Sequence, residues 1–535
     1  MIKERENKNY LELREQFPEF IFESASYQID DKDPIYLEPI KGDNKENLDL
    51  LRGGIIKITF GFTAGDFKFA PSLTIYANND KFSSSLNELN RAEQFSIKKD
   101  ELEKFIIHTG IIESFSYIKL FCSPKLIIKL GAFYSREIEF YQDLFMQGMG
   151  EYFYVNKIDY TTENFFEITV CTLIDKVCGK DIKESSADNS TLGSVDLRDL
   201  DREEREDGVA NLTAGGSSLP TIKAALIPFA GGKDSFLTLS LFRDSKKANS
   251  IEMKRIGIFT LNPILRVKEI LTDKEFNYLS DFNEVVFVNV ERSLDPLLLE
   301  LNREGYLNGH TPFSALLAMI GSFAASLYGF TDLVLSNEAS SNQGNVIFLN
   351  KFINHQYSKS LDFEKKFNQL LKDTFNTNLN YFSLLRSFDE RKITEKFSVD
   401  EYAITHFLSC NRGARLNKWC CGCPKCLSVF IILSEKIGVE KVVKIFGQNL
   451  LDLAELEEIF LELIGRGEKK PFECVGTFEE TRASLQHIVE EIEAENLPLL
   501  LRKYQELEGI QVESFANISS EDAVPKYYKP LINSR

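Results

Sequence analysis

Hydrophobic and polar positions alternate regularly through the middle of the chain. Short apolar runs at residues 224–229, 255–261, 284–290 and 332–336 are separated by stretches with the apolar spacing of amphipathic helices. Strands that alternate with helices are typical of a parallel sheet covered by helices on both faces. The pattern therefore predicts a doubly wound α/β domain, and ligands of such sheets bind beyond the carboxyl ends of the strands.

The regions on either side follow other patterns, which divide the chain into four parts. Residues 1–180 mix extended and helical runs and predict an N-terminal α+β domain. Residues 181–220 are rich in Ser, Asn, Gly and charge and predict a flexible linker or insertion. A phosphate-loop-like string at 213–218 follows no predicted strand, so we treat it as spacer. Residues 221–437 hold the predicted parallel sheet and the cysteine cluster, and 438–535 predict a helical C-terminal region.

One apolar stretch, residues 311–331, carries no charge and is long enough to resemble a membrane span. Its serines and glycines dilute the hydrophobicity that a bilayer requires. Polar flanks and neighbouring strand-like runs suit the interior of an α/β domain better. We therefore predict a buried core helix.

Composition narrows the class of protein. The 63 Lys and Arg residues against 81 Asp and Glu give a net charge of −18, which argues against a surface that binds nucleic acid. The nine cysteines are an odd number, and five of them are crowded between Cys410 and Cys426, unlike an extracellular disulfide framework. The first residues lack the apolar core of a secretory signal. We expect a cytoplasmic protein that neither binds nucleic acid nor inserts into a membrane.

A short glycine loop lies between a predicted strand and a predicted helix. Gly231 and Gly232 let backbone N–H groups approach phosphate oxygens, and the helix N-terminus adds partial positive charge. Lys233 supplies a full charge, Asp234 can hold Mg²⁺, and Ser235 can donate to a phosphate or cap the helix. An ordinary strand–turn–helix hinge is the alternative, but it does not need all three polar residues. The sequence predicts a site for ATP and Mg²⁺.

The same loop resembles the PP-loop of the ATP pyrophosphatase superfamily, usually written S-G-G-x-D-S. Ala230 stands where that pattern has its first Ser, and the rest of the string matches. The resemblance implies a PP-loop domain of the HUP type, in which ATP is split between its α and β phosphates.

Four cysteines have the spacing of a metal site. Cys410, Cys420, Cys423 and Cys426 form C-x9-C-x2-C-x2-C, which predicts a structural Zn²⁺. Cys421 is a fifth candidate ligand. Free thiols in a reduced loop, or a redox thiol carried by Cys421, are the alternatives.

Proton transfer requires a group that gains and loses a proton near neutral pH. His310 and His355 lie in polar, turn-rich strings after predicted strands, and Lys359 follows closely. These three residues are candidate catalytic bases, although a structural imidazole is the alternative for each histidine.

Substrate contacts are predicted at two further places. Asn337 and Glu338 follow a predicted strand directly, which suits contact with substrate or Mg²⁺; a helix cap is the alternative. Arg412 and Arg415 lie inside the cysteine loop and can hold an anionic substrate, or they are surface charges.

Seven strings taken together resemble a more specific family. They look like the ATP-dependent UDP-N-acetylmuramoyl-L-alanyl-L-glutamate epimerase family of bacterial peptidoglycan synthesis, over roughly residues 100–490. The insertion near 181–220 and the tail after about Glu508 depart from that pattern. The strings are residues 148–156, 308–313, 335–338, 354–360, 410–415, 419–426 and 470–476.

The resemblance implies inversion of the terminal L-Glu of a UDP-muramoyl dipeptide to D-Glu, with ATP converted to AMP and pyrophosphate. It also implies a functional link to the ligase that adds L-Glu. A free carboxylate resists loss of the neighbouring Cα proton, and an acyl-adenylate removes that obstacle. Direct deprotonation of the adenylate and formation of an oxazolone are both compatible with the sequence. The rival functions are a PP-loop enzyme that modifies a nucleobase or tRNA, and a non-catalytic ATP-binding zinc module.

Overall fold

The computed structural model describes residues 7–37, 49–78, 93–174, 221–375, 377–507 and 521–533. The predicted insertion at 181–220, its loop-like string at 213–218 and the tail at 508–520 lie outside the described residues. The predictions made for these segments stay predictions.

The described residues form sixteen strands. The strands are β1 (Glu19–Ile29), β2 (Ile35–Tyr36), β3 (Leu50–Gly53), β4 (Ile55–Ala64), β5 (Phe67–Phe69), β6 (Ser72–Asn78), β7 (Phe95–Lys98), β8 (Lys125–Ile128), β9 (Glu167–Val170), β10 (Thr221–Pro228), β11 (Glu252–Leu261), β12 (Val285–Ser293), β13 (Asp332–Leu335), β14 (Val346–Phe348), β15 (Lys351–Ile353) and β16 (Asn380–Ser383). Of these, β4, β7 and β8 alternate between buried and more exposed side chains, and β13 is fully buried.

Seventeen helices accompany these strands in the described part of the chain. They are α1 (Tyr10–Gln16), α2 (Lys99–Ile118), α3 (Ser135–Gly148), α4 (Gly150–Val155), α5 (Lys233–Lys247), α6 (Leu265–Thr272), α7 (Pro296–Arg303), α8 (Phe313–Leu327), α9 (Leu361–Phe375), α10 (Glu390–Phe397), α11 (Glu401–His406), α12 (Pro424–Ile437), α13 (Val439–Phe446), α14 (Glu457–Leu463), α15 (Phe478–Glu491), α16 (Leu499–Glu506) and α17 (Lys529–Asn533).

Twelve of the strands belong to one sheet. Its order is β16-β13-β10-β11-β12-β6-β4-β1-β8-β9, with β2 beside β1 and β5 beside β4. The strands from β16 to β12 are parallel, and β12 then pairs antiparallel with β6. The N-terminal strands therefore continue the parallel sheet through the contact between β6 and β12.

The parallel part of this sheet has a topological switch point. When its strands are numbered along the chain, their order is 3-2-1-4-5, so the first strand, β10, lies beside the fourth, β13. Right-handed crossovers on either side of β10 place their helices on opposite faces. Ligands of such sheets bind in the crevice beyond the carboxyl ends at this point.

Both faces of the parallel sheet are buried. Ala224 and Leu226 of β10 join one hydrophobic core, which also contains α2 and α8. Ala225 and Ile227 join a second core, which contains α5 and α12. The prediction of an α/β protein with a parallel sheet between helical layers is confirmed.

The uncharged stretch at 311–331 forms α8, which is buried against the sheet as predicted. Gly321 allows this close packing, since a Cβ atom there would lie 2.9 Å from Cδ2 of Leu333. In the described part of the chain, every helix is too short or too polar to cross a bilayer.

Candidate functional site

The glycine loop lies at the switch point, directly after β10. Gly231 has φ +72°, a left-handed conformation that side chains with a Cβ rarely adopt, and Gly232 is the N-cap of α5. The loop is held by its neighbours, because Gly231 O accepts from Leu408 N at 2.9 Å and Ser235 Oγ donates to Gly232 O at 2.9 Å. The first turn of α5 thus begins where an anion can bind its N–H groups.

Two buried lysines lie beside the loop. Lys233 Nζ binds Glu390 Oε2 at 2.6 Å and also contacts Asp234. Lys425 Nζ lies 3.6 Å from the other oxygen of Glu390. Burial opposes the charge of Lys233, but the carboxylates of Asp234 and Glu390 outweigh it and raise the pKa of the lysine. Two ammonium groups and two carboxylates therefore lie beside the loop.

Two more lysines lie close by, of which Lys470 is buried and Lys359 is half-buried. Lys359 Nζ lies 2.9 Å from Cys474 Sγ, and Lys470 Nζ lies 2.8 Å from Gln343 Oε1. Burial lowers the pKa of Lys470 to about 8, although Glu480 and Glu338 oppose the shift.

We call these four residues, Lys233, Lys359, Lys425 and Lys470, the lysine cluster. Its members interact electrostatically with one another or with shared carboxylates. Three of the four are buried, and ammonium groups in such a cluster can donate hydrogen bonds to an anionic ligand.

Of the two residues predicted after β13, one lies with the lysine cluster. Glu338 is buried and interacts electrostatically with Lys359, Lys425 and Lys470. It precedes a 3₁₀ turn at Ala339–Asn342, but its side chain makes no cap hydrogen bond there. Asn337 Nδ2 donates to Ser383 Oγ at 3.0 Å instead of facing the loop. Glu338 is thus part of the charged pocket, whereas Asn337 ties β13 to the end of β16.

The two candidate histidines lie together with a carboxylate from the N-terminal half. Glu151 Oε2 in α4 is 2.5 Å from His355 Nδ1 and 4.0 Å from His310 Nδ1. The two imidazole rings have centroids 4.2 Å apart. Burial, followed by the charges of His355, Lys119 and Lys359, lowers the pKa of His310 to about 3. We call Glu151, His310 and His355 the histidine cluster; His310 is uncharged in it at neutral pH.

The segment 470–474 connects the two clusters. Asn345 links the first residue of the segment to His355. Its backbone O accepts from Lys470 N at 3.0 Å, and its Oδ1 accepts from His355 N at 2.8 Å. The Phe472 ring lies 6.2 Å from the His355 ring, and Lys425 Nζ donates to the carbonyl of the last residue of the segment. Both the lysine and the histidine clusters therefore contact this one segment, and we call the region between them the shared space.

The four predicted cysteines converge at the N-terminus of α12. The sulfur atoms of Cys410, Cys420, Cys423 and Cys426 all lie within 4.8 Å of one another. Cys421 Sγ instead lies 3.5 Å from Phe446 O. The backbone of Cys421 has φ +55°, which turns its side chain away from the other four sulfurs. The spacing left Cys420 and Cys421 as alternatives, and the geometry favours Cys420.

Backbone N–H groups point at these sulfurs, as is common around thiolate ligands. Cys410 Sγ accepts from Gly413 N at 3.0 Å, and Cys423 Sγ accepts from Cys426 N at 3.4 Å. Gly413 is needed here, because a Cβ atom would lie 2.0 Å from Lys418 O. The donor set is the one that Zn²⁺ prefers.

The two arginines of the cysteine loop are exposed. Arg412 interacts electrostatically with Glu473 of the connecting segment, so it lies near the edge of the pocket. Arg415 lies on the 3₁₀ turn Ala414–Leu416. The structure thus brings Arg412 nearer than Arg415 to the predicted substrate.

Sequence reasoning missed five polar residues of the site. Four of them lie inside the strings that carry the family resemblance. Membership of those strings was the only feature of the sequence that pointed to them as functional residues. Glu390 lies in none of those strings. The five residues are Glu151, Glu390, Lys425, Lys470 and Cys474.

A pH dependence of stability follows from the carboxyl group behind the lysine cluster. Glu480 accepts from Glu390 N and Thr477 N, each at 2.5 Å. Burial, together with the charge of Glu390, raises the pKa of Glu480 from 4.5 to about 7. The folded state therefore favours the protonated form, and this contribution to stability is present below pH 4.5 and is lost as the pH rises through 7.

The variant Glu480→Gln cannot ionise at this position, so we expect its free energy of unfolding not to fall in this way as the pH rises through 7. Between pH 5 and pH 8, the stability of the variant relative to the natural protein should rise by on the order of 2–3 kcal/mol. Urea unfolding of both proteins at several pH values measures the difference. Parallel pH profiles would show that Glu480 is ionised in the fold.

The fold and the site define an α/β protein whose parallel sheet has a glycine loop and a cluster of lysines at its switch point. The chain belongs to the MurL family. The family model of the MurL N-terminal domain matches residues 54–193 and 195–384, and that of the MurL C-terminal domain matches residues 406–516. The family resemblance carried by the seven strings is thereby confirmed.

Three curated relatives are each named UDP-N-acetyl-alpha-D-muramoyl-L-alanyl-L-glutamate epimerase. The protein of Xanthomonas oryzae pv. oryzae is 30% identical over 328 residues, which cover 59% of this chain and 69% of the relative. The protein of a Micromonospora species is 33% identical over 50% of this chain and 58% of the relative. That of Salinispora tropica is 33% identical over 49% of this chain and 54% of the relative. The matched part thus spans between half and about two thirds of each relative.

Proposed function

We propose that the protein is an ATP-dependent epimerase that inverts the terminal L-Glu of UDP-N-acetylmuramoyl-L-Ala-L-Glu to D-Glu and releases AMP and pyrophosphate. The names of the relatives support the substrate and the inversion. The observation that carries the proposal is that the lysine cluster and the histidine cluster both lie along the segment 470–474. Phosphate chemistry and proton transfer can therefore act on the same glutamate.

In the first step, the α-carboxylate of glutamate attacks the α-phosphorus of ATP. The N–H groups at the start of α5, together with Lys233 and Lys425, stabilise the charge that develops on the departing pyrophosphate. Asp234 is the residue that would hold Mg²⁺, whose charge supplies further stabilisation. The loop after β10 and the strand order 3-2-1-4-5 support assignment to the PP-loop superfamily with a HUP-type fold.

In the second step, the adenylated glutamate loses and regains its Cα proton. Conversion of the carboxylate into a mixed anhydride removes its negative charge, so the carbanion is no longer adjacent to an anion. The carboxylate of Glu151 fixes the tautomer and orientation of the His355 ring, which leaves Nε2 available for proton transfer. Hydrolysis of the anhydride then traps the product, either directly or through the oxazolone.

The reaction itself tests the proposal. The protein is incubated with the UDP-muramoyl dipeptide, ATP and Mg²⁺ in D₂O, and the glutamate is analysed for chirality and isotope. We expect D-Glu with deuterium at Cα and AMP formed only when the dipeptide is present. Pyrophosphate release that requires tRNA would favour the nucleobase- or tRNA-modifying alternative, and ATP binding with no turnover would favour the non-catalytic one.

Loss of the carboxylate in the histidine cluster should impair inversion more than activation. We expect Glu151→Gln to lower the rate of inversion on the order of 10²-fold, because His355 loses the group that orients it. AMP formation, which takes place at the lysine cluster, should change only slightly. Glu139→Gln, an exposed residue of α3, is the matched control. Equal losses of inversion and AMP formation would contradict the assignment.

We also propose a structural Zn²⁺ held by Cys410, Cys420, Cys423 and Cys426. Four converging sulfurs with N–H donors around them fit a closed tetrahedral site. The ion would fix the loop before α12, which carries Lys425 into the lysine cluster.

A further inference from the structure

Cys474 is a thiol that the two steps above do not use. Its Sγ lies 2.9 Å from Lys359 Nζ, and its carbonyl oxygen accepts from Lys425 Nζ. The side chains of Cys474 and Lys359 are half-buried, whereas Lys425 is buried. Two members of the lysine cluster therefore hold this residue at the edge of the shared space.

Lys359 places a positive charge beside the sulfur of Cys474. The ammonium is half-buried and its hydrogen-bond acceptor is that sulfur, with Glu338 nearby. An ammonium next to a cysteine favours the thiolate, which is the reactive form of the side chain. As an ammonium, Lys359 has no lone pair to accept the Cα proton, so its charge acts on the thiol.

The thiol also lies close to the histidine cluster. Phe472, two residues before Cys474, lies against the His355 ring, and Lys359, four residues after His355, contacts Cys474. Lys359 also interacts electrostatically with His310. The sulfur and the imidazoles come from different segments and border the space in which glutamate would lie.

Inversion of a carbon centre calls for proton removal on one face and proton delivery on the other. We propose that the Cys474 thiolate is the catalytic base that removes the Cα proton of the adenylated L-Glu, and that His355 delivers a proton to the opposite face. The C–H bond breaks and an S–H bond forms, leaving the electron pair in the enolate. The imidazolium of His355 then gives its Nε2 proton to Cα, and solvent restores both groups. The inference rests on the proposed function and deepens it.

The test separates the two faces by isotope exchange. Cys474→Ala and Cys474→Ser are compared with the natural protein in D₂O, starting in turn from the L-Glu and the D-Glu dipeptide with ATP and Mg²⁺. We expect both variants to lose inversion by ~10²- to 10⁴-fold while AMP formation changes only a few-fold. Deuterium should still enter the D-epimer through His355, without inversion, whereas exchange of the L-epimer should be lost. Cys171→Ala, an exposed cysteine outside the site, is the control.

Three results would overturn the assignment of Cys474. They are inversion at the natural rate in Cys474→Ala, equal loss of exchange from both epimers, and loss of AMP formation in both variants. Failure of the natural protein to form AMP or D-Glu would instead contradict the proposed function. The two proposals can therefore fail separately.

Discussion

Replacement of Asp234 by Asn is expected to reduce AMP formation by ~10²- to 10³-fold. Asp234 is the carboxylate closest to the start of α5, and it contacts Lys233 beside the glycine loop. The amide keeps the shape of the side chain but removes the charge that would hold Mg²⁺. Inversion should fall in parallel, because an unactivated carboxylate does not release its Cα proton. AMP is measured by chromatography under saturating ATP.

Asp244→Asn provides the matched control for this change. Asp244 is on the same helix, α5, and its carboxylate lies 2.9 Å from Arg243 Nε, away from the loop. Its variant should form AMP at the natural rate, and both variants should unfold at similar temperatures. Full AMP formation by Asp234→Asn would place the phosphates elsewhere.

The second large effect concerns the cysteine site. Cys423→Ser is expected to reduce bound zinc from about one ion per chain to nearly none and to lower the melting temperature by several degrees, since ~1 kcal/mol corresponds to roughly 2–4 °C in larger domains. Cys423 is fully buried, so an empty cluster would leave thiols without a partner. Elemental analysis and thermal unfolding measure the two quantities.

Cys421→Ser distinguishes the cluster from its neighbour. The sulfur of Cys421 lies beside Phe446 O and outside the group of four. Its variant should keep the zinc and nearly all of the stability. Retention of zinc by Cys423→Ser, or its loss in Cys421→Ser, would contradict the proposed ligand set.

Local patterns predicted the parts of the molecule that local physics determines. The strand before the glycine loop, the helix that begins at Lys233 and the buried helix at 313–327 each follow from a short run of residues. The cysteine cluster follows from spacing alone, except for the choice of Cys420 over Cys421. That choice depends on a backbone angle of +55° at Cys421, which spacing does not reveal.

Long-range contacts were beyond such patterns. Glu151 reaches His355 across 204 residues, and Glu390 reaches Lys233 across 157. The antiparallel contact between β12 and β6, which continues the parallel sheet into the N-terminal half, also has no local signal. The contacts of Glu151 and of β6 bring the N-terminal half to the site, and all three contacts are set by the packing of the whole chain.

Transfer of oxygen from glutamate to AMP is the most direct test of the activation step. The dipeptide is prepared with ¹⁸O in the α-carboxylate of glutamate, and the AMP formed during turnover is analysed by mass spectrometry. If the carboxylate attacks the α-phosphorus beside Lys233, one ¹⁸O atom appears in the phosphate of AMP. Label that appears only in inorganic phosphate or pyrophosphate, or inversion without AMP, would contradict the mechanism.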